Sequence, residues 1–340
     1  MFLHFIPARD LANPHHGTYK DVISRVRWLE ARFPAYRQIP VRDDDPVVVD
    51  SALAGGGRLE GALVEYSYYP RIVGHLKRLA PYACVAVRAI NLEPLQFLSN
   101  HGWFPERGPL WMLYGMGRLL SQDIRVKRTA DVILSINAWE NRKYWNRLPG
   151  KARVEWLPYR CPEHLLPTHP LPYDQRRIIA CMPTSHENRK SRDLVIRFQD
   201  FATAMKRSGS RYAFVITGSL ETWTLPSCAA VTYSGFIGNP ADFMGTCRAV
   251  VLLSPLGYGV KTTAADALAA GAHVLAHPDL VRRSPEAVRP FLLPLDSDRP
   301  LDAAAVARTL DEPPQGMALH QELCAESARV LRRWFGGGEQ

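Results

Sequence analysis

The stretch PLGYGVKTTAADALAAGAHVL, residues 255–275, decides the fold of this 340-residue chain. It follows an apolar run at residues 249–253 that is typical of a buried strand, and it ends in a second such run at residues 272–276. The Ala- and Leu-rich residues between the two runs predict a helix. A strand, a glycine turn, a helix and a second strand form a βαβ unit, so the chain is predicted to contain a parallel sheet.

The glycine turn has the composition of an anion site. Gly257 and Gly259 let the backbone approach a bound group closely, and the amides at the start of the helix favour an anion there. Lys261 adds a positive charge, and Asp266 lies more than one turn into the helix, where its carboxylate can accept hydroxyl hydrogen bonds. These features predict a site for the diphosphate and ribose of a sugar nucleotide. The two glycines alone fit an ordinary tight turn equally well.

The segment resembles the donor-binding segment of the family-4 retaining glycosyltransferases, in the bacterial sugar transferase branch that writes it Pro-x-x-x-Gly-x-Lys-x-x-x-x-Glu-Ala-(Leu/Met)-Ala-x-Gly-x-Pro-Val-Val. The positions that match in register are Lys261, Ala267, Leu268, Ala269, Gly271 and Val274. The resemblance implies the α/β GT-B fold, in which two Rossmann-like domains face each other across a cleft. It also implies a catalytic role for Lys261 and donor contacts from Val260 and Thr262.

Two acidic positions of the family differ in this chain. Asp266 stands where the family usually has a Glu that holds the ribose, so the carboxylate is retained on a shorter side chain. Tyr258, also assigned to the donor site, occupies the position of the family's other Glu, whose carboxyl group is therefore missing from this segment. The resemblance implies transfer with retention of anomeric configuration and without a metal ion. The change at Tyr258 leaves the stereochemical outcome open.

The segment that begins the second half carries the same resemblance. Residues 178–182 predict a strand, and the turn after it looks like the Gly-Ser-x-x-x-x-(Pro)-Asn turn of the family, with Ser185 and Asn188 in matching places. Lys190 lies in a cluster of cations at the start of the next helix, where positive charge opposes the helix dipole. Such a cluster indicates either an anionic ligand or a solvated face.

Two further strands of the second half end in glycine. Residues 212–218 predict a strand that ends at Gly218, and residues 231–238 match a family segment whose backbone meets the nucleotide base, which implies donor contacts at Gly235 and Phe236. Ligands bind outside the carboxyl ends of parallel strands. These turns are therefore expected to converge on one donor site.

The first half is predicted to be the acceptor-side domain. Residues 2–7 predict a strand, which a loop at residues 13–17 and a helix from about residue 20 to residue 32 follow. The resembling family places a glycine-rich loop here against the donor phosphates, and Gly17 is the glycine that remains. His15 and His16 precede it and fit a general base, phosphate donors or ordinary loop residues.

A second polar segment of the first half is RAINLE, residues 88–93, at the exit of a predicted strand. It resembles the family's Arg-x-His-Asn-x-Glu, which implies catalytic roles for Arg88 and Glu93. Ile90 replaces the family's histidine. The role of that histidine would then fall to His15, His16 or His101.

Chain length and proline content predict the domain organisation. The length is sufficient for two domains, and residues 158–172 carry five prolines with little periodicity. The last predicted helix, at residues 323–335, is expected to cross back to the first domain, as it often does in GT-B folds. We expect an N-terminal domain at residues 1–158, a linker at residues 159–172, a donor-binding domain at residues 173–335 and a tail at residues 336–340.

The six cysteines show no short paired spacing, so neither a zinc site nor a disulfide framework is predicted. A signal-type N-terminus and an apolar run of the roughly 18 residues that a bilayer requires are both missing from the sequence. We expect a reduced, cytoplasmic protein with a nucleotide-diphosphate sugar as co-substrate and no metal or other cofactor.

Positive charge is concentrated in the first half. Residues 1–160 hold 23 Lys and Arg against 15 Asp and Glu, whereas residues 161–340 hold 19 against 18. This excess predicts a polyanionic partner, which is an anionic membrane surface, a lipid-diphosphate acceptor or nucleic acid. We find no nucleic-acid-binding motif and expect no nucleic acid partner. Aromatic and basic residues are mixed at residues 103–128, an arrangement that fits either a membrane interface or core packing.

These features predict a glycosyltransferase that is cytoplasmic and peripherally attached to the inner face of the membrane. It would move a sugar from a nucleotide-diphosphate sugar to a lipid-linked or polysaccharide acceptor in cell-envelope or exopolysaccharide synthesis. One alternative is a GT-B nucleotide-sugar epimerase, which needs acid/base carboxylates on both faces of the sugar carbon, and the sequence offers no convincing second pair. The other is a catalytically silent homologue that acts as a binding partner.

Overall fold

The computed structural model describes residues 1–12, 17–101, 108–183, 189–218, 227–296 and 298–336. Two six-stranded sheets, whose strand pairs are all parallel, organise these residues into two α/β domains. Most strands are continuous runs of buried apolar residues, the composition of strands that helices cover on both faces. The predicted α/β class with two Rossmann-like domains is confirmed.

The first domain is built on strands β1 (Phe2–Pro7), β2 (Tyr36–Val41), β3 (Gly61–Glu65), β4 (Cys84–Ala89), β5 (Val132–Ser135) and β6 (Arg153–Trp156). Their order in the sheet is β2-β1-β3-β4-β5-β6. The helices are α1 (Ala8–Leu11), α2 (Gly17–Arg32), α3 (Val47–Leu53), α4 (Pro70–Leu79), α5 (Glu93–His101), α6 (Gly108–Thr129) and α7 (Ala138–Lys143).

The second domain is built on strands β7 (Ile178–Cys181), β8 (Ala213–Thr217), β9 (Thr232–Gly235), β10 (Cys247–Leu252), β11 (His273–Ala276) and β12 (Leu292–Pro294). Their order in the sheet is β12-β11-β10-β7-β8-β9. The helices are α8 (Arg189–Arg207), α9 (Pro240–Thr246), α10 (Thr262–Ala269), α11 (Pro278–Arg283), α12 (Ala303–Asp311) and α13 (Gly316–Phe335). Every helix in the described ranges is too short or too polar to cross a bilayer.

Both sheets reverse their strand order beside a loop that carries predicted site residues. In the second domain the reversal lies between β7 and β10, and the donor segment follows β10. In the first domain it lies between β1 and β3, and Gly17 comes after β1. Doubly wound sheets bind ligands at such reversals, outside the carboxyl ends of the strands. The topology therefore puts the donor segment where this class of fold binds nucleotides.

The last helix, α13, packs on both domains. Its residue Leu319 belongs to the core of the second domain, whereas Val330 and Phe335 pack with Phe2 in the core of the first. The rings of Phe2 and Phe335 meet edge to face with centroids 4.9 Å apart. The apolar face of α13 is therefore shared between the two domains, and it ties the end of the chain to its first strand.

Candidate functional site

The donor segment forms a glycine loop between β10 and α10. Gly257 and Gly259 have φ angles of +90° and +82°, a region that residues with a side chain rarely adopt. A Cβ at position 257 would lie 2.5 Å from Lys261 Nζ and 2.8 Å from Lys190 Cδ. The positive φ favours glycine here, and the absence of a side chain lets two lysine side chains come close to the backbone.

Three cations surround the glycine loop: Lys190 at the start of α8, Lys261 before α10 and Arg283 at the end of α11. Burial, reinforced by the charges of the other two cations, holds the pKa of Lys261 well below its usual range. Burial also lowers the pKa of Lys190. The Arg283 guanidinium lies 4.9 Å from the centre of the Tyr258 ring, and its Nη2 donates to Pro255 O at 2.5 Å. A diphosphate bound at this loop would offset the repulsion among the three cations.

Two amides of the loop donate to side chains of the first domain. The Tyr258 amide donates to Gln96 Oε1 at 2.7 Å, and the Gly259 amide donates to Glu140 Oε1 at 2.8 Å. A Cβ at position 259 would lie 2.6 Å from the carbonyl oxygen of Ile90 and would collide with the side chain of Asn91. The donor loop is thus pressed against the first domain, and Gly259 permits that contact.

Asp266 lies at the same junction between the domains. Its Oδ1 accepts a hydrogen bond from the Tyr159 hydroxyl at 2.6 Å, and its Oδ2 forms an ion pair with Lys20 Nζ at 2.7 Å. Gly17, at the start of α2, lies against the side chain of Thr262, at the start of α10. The structure therefore brings Gly17, Thr262 and Asp266 together. The Asp266 carboxylate, which is predicted to bind ribose, contacts Lys20 of the first domain and Tyr159 of the linker. Its role in ribose binding stays a prediction.

Three carboxyl groups with raised pKa values lie on the first-domain side of the loop. Burial raises the pKa of Glu140 to about 8 and that of Asp123 to about 7, and it also raises the pKa of Glu93. Glu93 Oε2 accepts the Tyr68 hydroxyl, and Asp123 Oδ2 accepts the Tyr144 hydroxyl at 2.5 Å. The predicted catalytic residue Glu93 thus belongs to a buried acidic cluster, of which Glu140 is the member that contacts the donor loop.

Arg88 lies outside this site. Its side chain is fully buried, and it donates to Asp21 at 2.9 and 2.7 Å and to the carbonyl oxygen of Leu157 at 2.6 Å. Asp21 also pairs with Arg25, which in turn donates to Glu65. The Arg88 donors are engaged in a buried charge network of the first domain, and the catalytic role expected for Arg88 stays a prediction.

The remaining predicted residues fall into two groups. Gly218 and Gly235 join β8 to β9 through an amide-to-carbonyl bond of 2.8 Å, Phe236 is 62% exposed beside them, and Val260 is partly exposed in the donor loop. Their contacts with a nucleotide base or diphosphate stay predictions. Outside the described residues lie His15, His16, Ser185 and Asn188, and the side chain of His101 is not described either.

One group of described side chains has the spacing of a metal site. Ligand atoms of His277, Asp296 and Asp298 lie within 4.8 Å of one another. Protein groups already engage two of them, because His277 Nδ1 accepts the Asp279 amide at 3.1 Å and Asp298 pairs with Arg197 at 2.8 Å. Exposed acidic groups of this kind are common without an ion. The group carries no metal assignment, and independence from metal stays a prediction.

Sequence reasoning missed the partners that reach the donor loop from elsewhere in the chain. Gln96, Glu140, Lys20 and Tyr159 all lie far from residues 255–275 in sequence. A usable signal was present for Glu140, because it lies in the first turn of α7, the helix that follows β5, and the carboxyl end of that strand faces the same cleft.

Comparisons with known proteins establish the fold. No protein-family model and no curated protein matches the chain. Sucrose-phosphate synthase from Thermosynechococcus elongatus is 13% identical with a TM-score of 0.61, and the match covers 98% of this chain and 94% of that protein. HepE from Anabaena, solved with UDP and glucose, is 12% identical with a TM-score of 0.53, over 98% and 95% of the two chains. The glycosyltransferase of kitacinnamycin is 9% identical with a TM-score of 0.57, over 98% of each chain.

These solved structures are GT-B glycosyltransferases, and the present chain shares their fold along its length. The predicted GT-B architecture is therefore confirmed. At identities of 9 to 13% the likeness concerns the fold. Donor, acceptor and reaction have to be argued from the site.

Proposed function

We propose that the protein is a glycosyltransferase that takes a sugar from a nucleotide-diphosphate sugar. The observation that carries the proposal is the glycine loop at the strand reversal of the second domain, with Lys190, Lys261 and Arg283 around it. The start of α10 and three cations make a site for a diphosphate. HepE was solved with UDP-glucose, so a uridine nucleotide is the first donor to test.

The same groups would act on the leaving diphosphate. Cleavage of the anomeric bond adds negative charge to the diphosphate, and donors that already point at it stabilise the transition state more than the ground state. Lys261 has a lowered pKa in the free protein, and a bound dianion would favour its charged form. These cations can supply the charge stabilisation that a metal ion supplies elsewhere, which supports a metal-independent reaction. We also propose that the sugar is transferred with retention of its anomeric configuration. The anomeric configuration of the first-formed product tests this.

The acceptor proposal rests on α6. Leu110, Leu113 and Tyr114 are 80, 64 and 72% exposed, and Arg118 and Arg125 continue the same face at helical spacing. An apolar patch beside exposed cations fits an anionic lipid surface or a lipid-diphosphate acceptor. We therefore propose a lipid-linked acceptor for cell-envelope or exopolysaccharide glycan synthesis, reached by peripheral attachment to the cytoplasmic face of a membrane.

Fewer of the basic and apolar residues of α6 are exposed than a membrane-facing helix at residues 103–128 would require. Lys127, one of the basic residues at positions 103–128, is buried and donates to the carbonyl oxygen of Ala152. Met112 and Leu119 are buried as well, so core packing accounts for part of the aromatic and apolar pattern. The residues at positions 103 and 104 lie outside the described ranges.

A donor-hydrolysis assay with and without a lipid-phosphate acceptor tests the proposed activity. A glycosyltransferase releases nucleoside diphosphate, and it does so faster when the acceptor is present. An epimerase would convert the sugar nucleotide without acceptor and without release of diphosphate. A silent homologue would bind the sugar nucleotide and release nothing, and either of these results would refute the transferase proposal.

Co-sedimentation with vesicles of anionic phospholipid tests the membrane proposal. Each basic residue near an anionic surface contributes about 1 kcal/mol, and the attraction decays over a Debye length of about 8 Å at physiological salt. We expect binding that is lost at high salt and reduced in an Arg118→Gln, Arg125→Gln variant. The exposed Arg211→Gln in the second domain is the matched control. Absence of binding at low salt would reject peripheral attachment and favour a soluble glycan acceptor.

A further inference from the structure

Glu140 connects the two domains at the donor loop. It lies in the first turn of α7, immediately after the carboxyl end of β5, and it is fully buried. Its Oε1 accepts the Gly259 amide of the second domain at 2.8 Å. Because one partner belongs to each domain, this contact lies in the cleft, and separation of the domains would expose both groups.

The position of Glu140 in α7 leaves its carboxyl group available for a ligand. An acidic residue at the third position of a helix commonly folds back to satisfy the amide of the capping residue. Here Asn137 caps α7 by accepting the Trp139 amide at 3.0 Å, and the Asn137 amide donates to Ser135 Oγ at 3.2 Å. Glu140 has no capping duty and extends to the other domain instead.

The second oxygen of this carboxyl group is unsatisfied. Glu140 Oε2 is buried and has no hydrogen-bond partner among the residues that the structure describes. A buried polar atom without a partner costs free energy, so such atoms are rare and call for an explanation. The donor loop beside it, residues 253–261, carries no carboxyl group of its own. An incoming ligand group would satisfy Oε2.

We propose that Glu140 is a positioning residue of the donor site, which fixes the Gly259 amide through Oε1 and binds a hydroxyl group of the transferred sugar through Oε2. This inference rests on the proposed function. A carboxyl group accepts from a hydroxyl when it is ionised and donates to it when it is protonated, so a sugar hydroxyl suits both states. We assign Oε2 to the transferred sugar, and comparison of the sugar nucleotide with the nucleoside diphosphate tests this assignment against a contact with the diphosphate or the ribose.

A contact between Glu140 and the sugar predicts different effects on the binding of the sugar nucleotide and of the nucleoside diphosphate. Glu140→Gln keeps a carbonyl oxygen for the Gly259 amide, and Glu140→Ala removes both oxygens. We expect Glu140→Ala to bind the sugar nucleotide about tenfold more weakly, the effect of losing one buried hydrogen bond, whereas the Glu140→Gln amide can still donate to the hydroxyl and should bind it nearly as the wild-type protein does. Glu140→Ala also releases the Gly259 amide, so its loss of affinity for the nucleoside diphosphate should be smaller than its loss for the sugar nucleotide. Asp123→Asn is the matched control, because Asp123 is also a buried acid of the first domain but bonds to Tyr144.

Calorimetric titrations test the proposal with UDP and UDP-glucose, GDP and GDP-mannose, and ADP and ADP-glucose on the folded wild-type and variant proteins. Selective weakening of the sugar nucleotide supports it. If Glu140→Ala weakens sugar nucleotide and diphosphate equally, Glu140 only supports the loop and the sugar contact is overturned. Unchanged affinity of Glu140→Ala for both compounds would overturn the sugar contact as well. If the wild-type protein binds none of the six compounds, the proposed function itself fails. Glu140→Met, which keeps a side chain of similar length without either oxygen, decides the question if Glu140→Ala does not fold.

Discussion

The buried carboxyl group of Glu140 predicts that the stability of the protein depends on pH. Its pKa rises from an ordinary 4.5 to about 8 in the folded protein, because burial disfavours the ionised form. The folded state therefore binds more protons than the unfolded state between these values, and the wild-type protein loses stability as pH rises through this window. Glu140→Gln lacks the titrating group. Its stability relative to wild type should increase over the same range.

The magnitude follows from the size of the shift. A change from 4.5 to about 8 corresponds to about 5 kcal/mol at about 1.4 kcal/mol for each pH unit. Opening of the cleft can rehydrate the carboxylate, so we expect a measured gain of about 1–3 kcal/mol for the variant between pH 5 and pH 8.5. The charged and titratable groups that face Glu140 are Glu93, Asp123, Tyr144, Lys261 and Arg283.

Thermal and urea denaturation at pH 5 and pH 8.5 measure this difference. Glu286→Gln is the control, because that exposed carboxylate pairs with Arg142 and its pKa is lowered, so it stays ionised throughout the window. A gain for Glu140→Gln that is the same at both pH values would refute the reasoning. It would mean that Glu140 is ionised in the folded protein at pH 5 and that burial does not control its titration.

Three other perturbations follow from the junction between the donor loop and the first domain. Lys261→Ala should lower the rate of transfer by a factor of about 10²–10³, as loss of one charge-stabilising donor does. An unchanged rate in the folded variant would exclude a role of Lys261 at the diphosphate. Gly259→Ala should lower the melting temperature and activity together, since a Cβ meets the carbonyl oxygen of Ile90 at 2.6 Å and φ is +82°; normal values of both would show that the loop is not pressed against the first domain. Lys20→Met should destabilise the protein by about 3–5 kcal/mol because it leaves Asp266 unpaired, and Asp266→Asn in the same chain should restore part of the loss. Urea denaturation of the single and double variants checks the last pair, and additive losses would deny the coupling.

The fold was predictable from local patterns because the strands are short apolar runs between turn residues. The first strand was expected at residues 2–7 and lies there, and the helix after the glycine loop begins at Thr262. The last helix begins at Gly316, earlier than expected, because its first turns pack through Leu319 on the second domain and carry little apolar periodicity of their own. Local sequence specifies the elements well where one face or one strand is continuously buried.

The surroundings of the glycine loop were predictable only in part. The glycine loop and Lys261 predict an anion site from one segment, because these residues are close together in sequence. Arg88 has the same polar character at the end of a strand, but its partner Asp21 lies on another element, so sequence could not separate an internal counter-ion from a ligand contact. Glu140 and Gln96 meet the loop across the domain cleft, a contact that depends on how two complete domains pack.

Binding of sugar nucleotides to the glycine loop is the central claim, and calorimetric titration with UDP-, GDP- and ADP-sugars tests it most directly. We predict that one of these donors binds the wild-type protein and binds more weakly to Lys190→Gln and Arg283→Gln. Arg282, the exposed neighbour of Arg283, serves as the control, and Arg282→Gln should bind the donor with the affinity of the wild-type protein. Binding of no donor, or binding that the changes at Lys190 and Arg283 leave unaffected, would contradict the assignment of this loop as the donor site.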